Sequence, residues 1–283
     1  MSRVAIVTDS ASDLPADAAA AAGVVVVPLA VNFGRESFKA GTDLSTEDFW
    51  RRMTAPDAPF PTTAATGPGD FKAAYDKAFA DGADGVVSIH VAGTLSGTLK
   101  AAQSARDMLP DRQIHVIDSG SASMGEGILA TMAAELGRLG VSAAEIARVV
   151  EDRAKDLDLY VALDTLEYLK KGGRISGARA AIGTLLSFKP IITIRDGVVE
   201  AIERPRTSSK ARVRVLELLT ARPLERVAVL YTPPADGESF RREVLDRLAG
   251  SIAPDAVSLQ PVGASVGPHL GPGAVGGVVL YKR

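Results

Sequence analysis

The chain has 283 residues, enough for two domains or one large one, and no cysteine, which excludes disulfides, thiolate chemistry and cysteine-held metals. Its 32 basic and 34 acidic residues leave a net charge of −2, and aromatic residues make up only 5%. Nothing in this balance suggests attraction to nucleic acid or to an anionic membrane, and the scarcity of aromatics weakens any base-stacking role.

Residues 3–8 form an apolar, β-branched strand that leads into the loop DSASDLP. A helix follows from Pro15, capped by Ser12 or Asp13 and ended by Gly23, and then a buried strand at 24–29. The apolar run 18–31 is not a leader peptide. Asp9, Asp13 and Asp17 precede it where positive charge is needed, and Gly23 and Pro28 interrupt it. It is also too short to span a bilayer, so a cytoplasmic protein is expected. Residues 32–43 read as a polar connection, after which Ser45 caps a short helix at 46–53 with Asp48 in the capping-box position.

The stretch PTTAATGPGDF at 61–71 places Thr62 and Thr63 in a loop of small residues before a helix at 70–81, for which Asp70 is the ordinary cap. Residues 85–105 then read as a strand at 86–91, a Ser/Thr/Gly loop at 92–98 and a helix at 99–105. The same grammar recurs when a strand at 114–117 runs through DSGSASMGEG into a helix at 128–139. Ser142 caps a helix at 143–155, and an acidic helix end at 156–158 marks a domain boundary.

Beyond the boundary come a strand at 159–163, a helix at 165–171 stopped by Gly172 and Gly173, then Arg174 and a small-residue helix at 177–186. Strands at 190–194 and 198–202 flank Asp196-Gly197, a hairpin turn that requires positive φ. A basic amphipathic helix at 207–219, a strand at 226–231, a helix at 237–248 and a strand at 256–261 follow. A glycine-rich loop holding His269 leads to a last strand at 277–281. The expected fold is α/β in two domains. Residues 1–157 carry a mainly parallel sheet with helices on both faces, and residues 158–283 carry a mixed sheet with helices.

In a parallel sheet, loops at the carboxyl ends of the strands gather into a ligand crevice. Free N–H groups at helix starts, with hydroxyls beside them, suit a small anion. Ser96, with Thr62 or Thr63, is the candidate donor set; the alternative is that these residues only cap helices and the glycines only turn the chain. Three histidines are present, none in metal-ligand spacing, so no metal is expected. His90 and His115 lie in strand-like runs and read as structural, whereas His269, between Gly267-Pro268 and Gly271-Pro272, is fixed in a loop where it can touch a ligand. Arg174, directly after a Gly-Gly stop, also reads as placed rather than solvated. No Walker A sequence occurs, the G-x-G-x-x-A at Gly125, Gly127 and Ala130 starts seven residues after Asp118, and Ser96 is not central in a nucleophile elbow.

The sequence resembles the DegV family nearly end to end. The residues that carry the resemblance are VTDSASDLP at Val7, PTT at Pro61, LSGT at Leu95, IDSGSASMGEG at Ile117, LEYLKKGGRI at Leu166, GTLLSFKPII at Gly183, VEAIERPRTSSKA at Val199 and HLGPGA at His269. The resemblance implies two α/β domains around a buried long-chain fatty acid. It further implies a subunit that presents the acyl carboxylate to a separate ATP-dependent fatty acid kinase subunit, yielding acyl phosphate for phospholipid metabolism. By position, Thr62, Thr63, Ser96 and His269 would bind the carboxylate, and Arg174 and Arg206 would face the kinase subunit or the transferred phosphate. No catalytic residue and no cofactor of its own are implied. Ala92-Gly93 departs from the Ser-Ser pair that many relatives carry. Two rival readings stand beside this one. One is a stand-alone enzyme on a small phosphorylated or carboxylated metabolite, with Asp9, Asp118 and His269 as acid-base groups; the other is a lipid sensor without a kinase.

Overall fold

The computed structural model describes residues 3–175 and 188–283. The helix expected at 177–186, and with it part of the GTLLSFKPII motif, lies outside the described residues. In chain order the first half holds β1 (Val4–Asp9), α1 (Ala16–Ala22), β2 (Val24–Val27), β3 (Ala30–Phe33), β4 (Glu36–Lys39), α2 (Thr46–Met53), β5 (Thr62–Ala64), α3 (Pro68–Ala80), β6 (Gly85–His90), α4 (Thr98–Asp107), β7 (Ile114–Asp118), α5 (Met124–Arg138) and α6 (Ala143–Arg153). Strands β1, β2, β6 and β7 form a parallel sheet in the order β2-β1-β6-β7. Its residues alternate between two cores. Ile6, Val87, Ile89 and Ile117 face α5 and α6, while Val7, Val86 and Ile114 face Phe71 and Tyr75 of α3 and Ala102 and Ala105 of α4.

The second half holds β8 (Leu157–Ala162), α7 (Glu167–Lys171), β9 (Ile191–Arg195), β10 (Val198–Glu203), α8 (Ser208–Leu219), β11 (Leu224–Tyr231), α9 (Gly237–Arg247), β12 (Val257–Pro261), α10 (Gly267–Leu270) and β13 (Val275–Tyr281). Six strands join in the order β10-β9-β8-β13-β11-β12, parallel only between β11 and β12. One face packs on α8 and α9 through Ala211, Val215, Phe240 and Val244. The opposite face, with Leu159, Val161, Ile192, Leu230 and Val278, shares a core with Leu129, Ala130 and Ala133 of α5. The first half therefore meets the second sheet on its inner face. The hairpin turn is as expected, with Asp196 at φ 49° and Gly197 at φ 70°.

Several local expectations are corrected. The polar connection at 32–43 is instead β3 and β4 of a three-stranded antiparallel sheet, completed by β5. Val31 and Phe33 are buried with Phe49 and Trp50, a packing that the polar residues between them hide in the sequence. Thr62 and Thr63 consequently lie on a strand, not in a loop. Neither Ser12 nor Asp13 caps α1, whose N-cap is Pro15 without a side-chain bond. Asp70 lies inside α3, after the N-cap Gly67. Ser45 does cap α2, but Asp48 uses its carboxylate on Arg51. Among the described residues, no helix is long and apolar enough to cross a membrane.

Candidate functional site

Between the loops of the parallel sheet and the inner face of the second sheet lies an apolar cavity of about 870 Å³, its mouth included. Strand alternation builds one wall. Ile191 turns toward α8 and α9, while Ile192 and Ile194 turn inward beside Leu159, Val161 and Val199. Ala11, Leu29 and Val91 supply the other wall from the first half. The tip of the β9–β10 hairpin closes the structure against the opposite loop, where the Thr94 hydroxyl donates to the Gly197 carbonyl. Ala92 is fully buried in that loop, and a β-carbon on Gly93 would stand 2.8 Å from a Leu99 methyl. The departure at Ala92-Gly93 thus falls where the hairpin docks.

Thr63, Ser96, His269 and Arg174 all line this cavity. Thr63 Oγ1 and His269 Nε2 are 3.2 Å apart. Ser96 Oγ bonds Thr98 Oγ1 at 2.8 Å and accepts the Thr98 N–H at 3.3 Å, so it serves the start of α4 and the cavity together. That double use arises because the N-cap, Gly97, has no side chain to offer. Thr62 and Arg206 are exposed and lie outside the lining. For Thr62 the cause is the two-residue period of β5, which points neighbouring side chains to opposite faces.

His269 sits on the short helix α10 rather than in a loop. Burial, together with the nearby charge of Arg174, pushes its imidazole down to about 4, so the ring is neutral at pH 7. Its Nδ1 is buried with no hydrogen-bond partner among the described residues, and a β-carbon on Gly172 would lie 2.2 Å from it. Gly172 is therefore glycine because the ring needs that space. Arg174 is fixed by two carbonyls, Nε donating to Leu95 at 3.1 Å and Nη1 to Gly172 at 2.6 Å. It also borders an outer groove with Thr94, Lys100 and Gln103, so it stands in the wall between cavity and surface. One fixed cation, one neutral imidazole and two hydroxyls beside an apolar cavity suit a carboxylate on a long apolar tail.

Two further cavity residues, Ser123 and Ser265, escape sequence reading. Ser123 adopts φ 54° and donates to Asp13 Oδ2 at 2.5 Å, while Asp13 Oδ1 accepts the Gly263 N–H at 2.9 Å. Burial pushes the Asp13 carboxyl up to about 7. Ser265 bonds Ser10 at 2.8 Å, and Ser10 in turn accepts the Leu29 N–H at 2.8 Å. The DSASDLP loop thus braces the cavity wall rather than presenting a row of donors to an anion. Only its motif, not these pairings, was visible in the sequence.

The acid-base trio of the rival reading does not assemble. Strand β6 separates β1 from β7, so the two Asp-Ser loops are not on adjacent strand ends. Asp9 is fully buried and bonds His90 Nδ1 and the Ala11 N–H, both at 2.9 Å. Asp118 accepts the N–H groups of Gly93 and Gly120. Of the three, His269 alone lines the cavity.

Comparison with known proteins agrees with this architecture. A DegV domain-containing protein of Streptomyces coelicolor is 37% identical over 287 residues, covering 100% of both chains. A solved structure described as fatty acid binding of a DegV family protein from Thermus thermophilus superposes with a TM-score of 0.88 at 34% identity, covering 99% of this chain and 100% of that one. Another, described as DegV, a fatty acid binding protein from Bacillus subtilis, gives 0.86 at 30% identity with 100% of both chains covered. Residues 3–282 match the family described as "Uncharacterised protein, DegV family". With that match spanning nearly the whole chain, and with the same fold in both solved relatives, the protein belongs to the DegV family.

Proposed function

We propose that the chain binds one long-chain fatty acid in the cytoplasm and presents its carboxylate to a separate ATP-dependent kinase subunit for acyl phosphate formation, using no cofactor of its own. The observation that carries the reading is an apolar cavity whose lining includes Thr63, Ser96, Arg174 and His269. Fatty acid binding by the relatives from Thermus and Bacillus supports it. Burying about fifteen carbons at about 0.8 kcal/mol each contributes roughly 12 kcal/mol before binding costs. The polar end adds on the order of 1–3 kcal/mol for a hydrogen bond to a charged group. Tail burial sets affinity, and the hydroxyls set which way round the ligand lies.

Arg174 borders both the cavity and the outer groove, which supports access to the carboxyl group from outside. Trp50, the sole tryptophan, reports on occupancy. Its ring packs against Gly267 at the start of α10, the helix that carries His269. Titration with a C16 or C18 fatty acid should change Trp50 fluorescence and saturate at one ligand per chain. In a coupled assay with an ATP-dependent kinase subunit, Ser96→Ala should lower lipid retention, whereas Arg174→Ala should retain lipid but lose phosphoryl transfer. Equal loss of lipid in both variants contradicts the division of roles.

A further inference from the structure

One layer beneath the cavity wall, three side chains converge that the carboxylate site does not use. Asp9 ends β1, His90 ends β6 and Glu126 lies in the first turn of α5. All three are fully buried, and one donor atom from each lies within 4.8 Å of the other two. Each is also anchored from behind. Glu126 Oε1 accepts from the Thr8 hydroxyl at 2.6 Å and the Asp9 N–H at 3.2 Å. His90 Nε2 meets Ser88 Oγ at 2.7 Å, and the Tyr75 hydroxyl donates to Ser88 at 2.9 Å. Asp9 Oδ1 accepts the Ala11 N–H. Outer partners of this kind fix the orientation of metal ligands.

Glu126 Oε2 is the second observation, being buried with no hydrogen-bond partner among the described residues. An unpaired buried carboxylate oxygen beside a second carboxylate is costly unless a cation or a proton neutralises the pair. Among the described residues, no Lys or Arg is a hydrogen-bond partner of these three side chains. We propose that Asp9, His90 and Glu126 form a site for a divalent first-row transition metal ion, with Asp9 Oδ2, His90 Nδ1 and Glu126 Oε2 as donors. Two carboxylates and one imidazole suit Zn²⁺, Mn²⁺ or Fe²⁺ rather than Ca²⁺, which takes six to eight oxygens.

The site has a consequence for the cavity. Asp9 accepts the N–H groups of Ala11 and Val91, and both residues line the cavity. An ion here ties the ends of β1 and β6 to the start of α5, immediately behind the wall that an acyl chain would touch. It is a positioning site, without contact to the ligand.

The competing occupant is a proton, because burial and the charge of Asp9 push the Glu126 carboxyl well above its ordinary range. Glu126→Gln separates the two, since the amide can accept from Thr8 and donate to Asp9 but is a poor metal ligand. The test is elemental analysis of the full-length protein purified without chelator, followed by thermal unfolding of the dialysed protein with added Zn²⁺ or Mn²⁺. The wild type should carry about one ion per chain, and the apo form should gain roughly 5 °C at a hundredfold excess over Kd. Glu126→Gln should carry none and gain nothing. A metal-free wild type that ignores both ions, or ions bound equally by wild type and variant, overturns the proposal. These readouts are independent of lipid, so failure of the fatty acid reading leaves them interpretable.

Discussion

Thr63 Oγ1 and His269 Nε2 lie 3.2 Å apart across 206 positions of sequence. This pair joins the small antiparallel sheet of the first half to the turn of helix before the last strand. Thr63→Val keeps the side-chain shape and removes the hydroxyl. Fatty acid affinity should fall about tenfold, the worth of one hydrogen bond to a charged group, and stability should change by less than about 1 kcal/mol. Trp50 fluorescence titration and urea unfolding check the two halves.

His269 gives a pH signature. Its folded value of about 4 lies below the ordinary 6.5, so between those values the unfolded chain holds a proton that the folded chain lacks. Its contribution to stability is therefore complete above pH 6.5 and lost as pH falls through about 4. A carboxylate arriving beside the ring favours the imidazolium and should move the titration upward. NMR titration of the imidazole with and without fatty acid measures the move; no change on ligand addition places the carboxylate elsewhere.

Asp13 acts in the opposite sense. Its folded value of about 7 exceeds the model-peptide 3.8, so the stability it contributes is fully present below about pH 4 and lost as pH rises through 7. The slope in that window is up to about 1.4 kcal/mol per pH unit. Asp13→Asn, with a residue that tolerates the left-handed φ of 51°, should remove most of that slope and be at least as stable as wild type at pH 8. Denaturant midpoints from pH 4 to 8 test it.

Gly172 tests the placement of the ring. Its φ of −75° is open to alanine, so Gly172→Ala meets no φ strain; the new methyl would lie 2.2 Å from His269 Nδ1 and 3.2 Å from the Tyr168 carbonyl oxygen. The fold should survive, while fatty acid affinity drops about tenfold through displacement of the imidazole. Retained affinity would show that the ring position does not matter.

The two-domain α/β plan was legible because strand-loop-helix grammar, the Asp196-Gly197 turn and the caps at Ser45 and Ser142 are all local signals. Ser96 with Thr62 or Thr63 was legible as one donor set from the loop grammar, and His269 joined them only through family motifs; that Arg174 lines the same cavity depends on packing between sheets. The loop bracing was not legible. Asp13 reads as a helix cap until Ser123 and Gly263 arrive from 110 and 250 positions away. His90 likewise reads as a strand residue, since its neighbours Asp9 and Glu126 come from another strand and a helix, with no spacing that a motif could capture. The hairpin β3–β4 was missed because Asn32 and Ser37 mask the burial of Val31 and Phe33.

The fatty acid reading is tested most directly by mass spectrometry of an organic extract of the purified, undenatured protein, quantified against protein. The account predicts close to one long-chain fatty acid per chain, with retention reduced by Ser96→Ala. A protein that is empty as purified and also fails to take up added C16 or C18 fatty acid would contradict it.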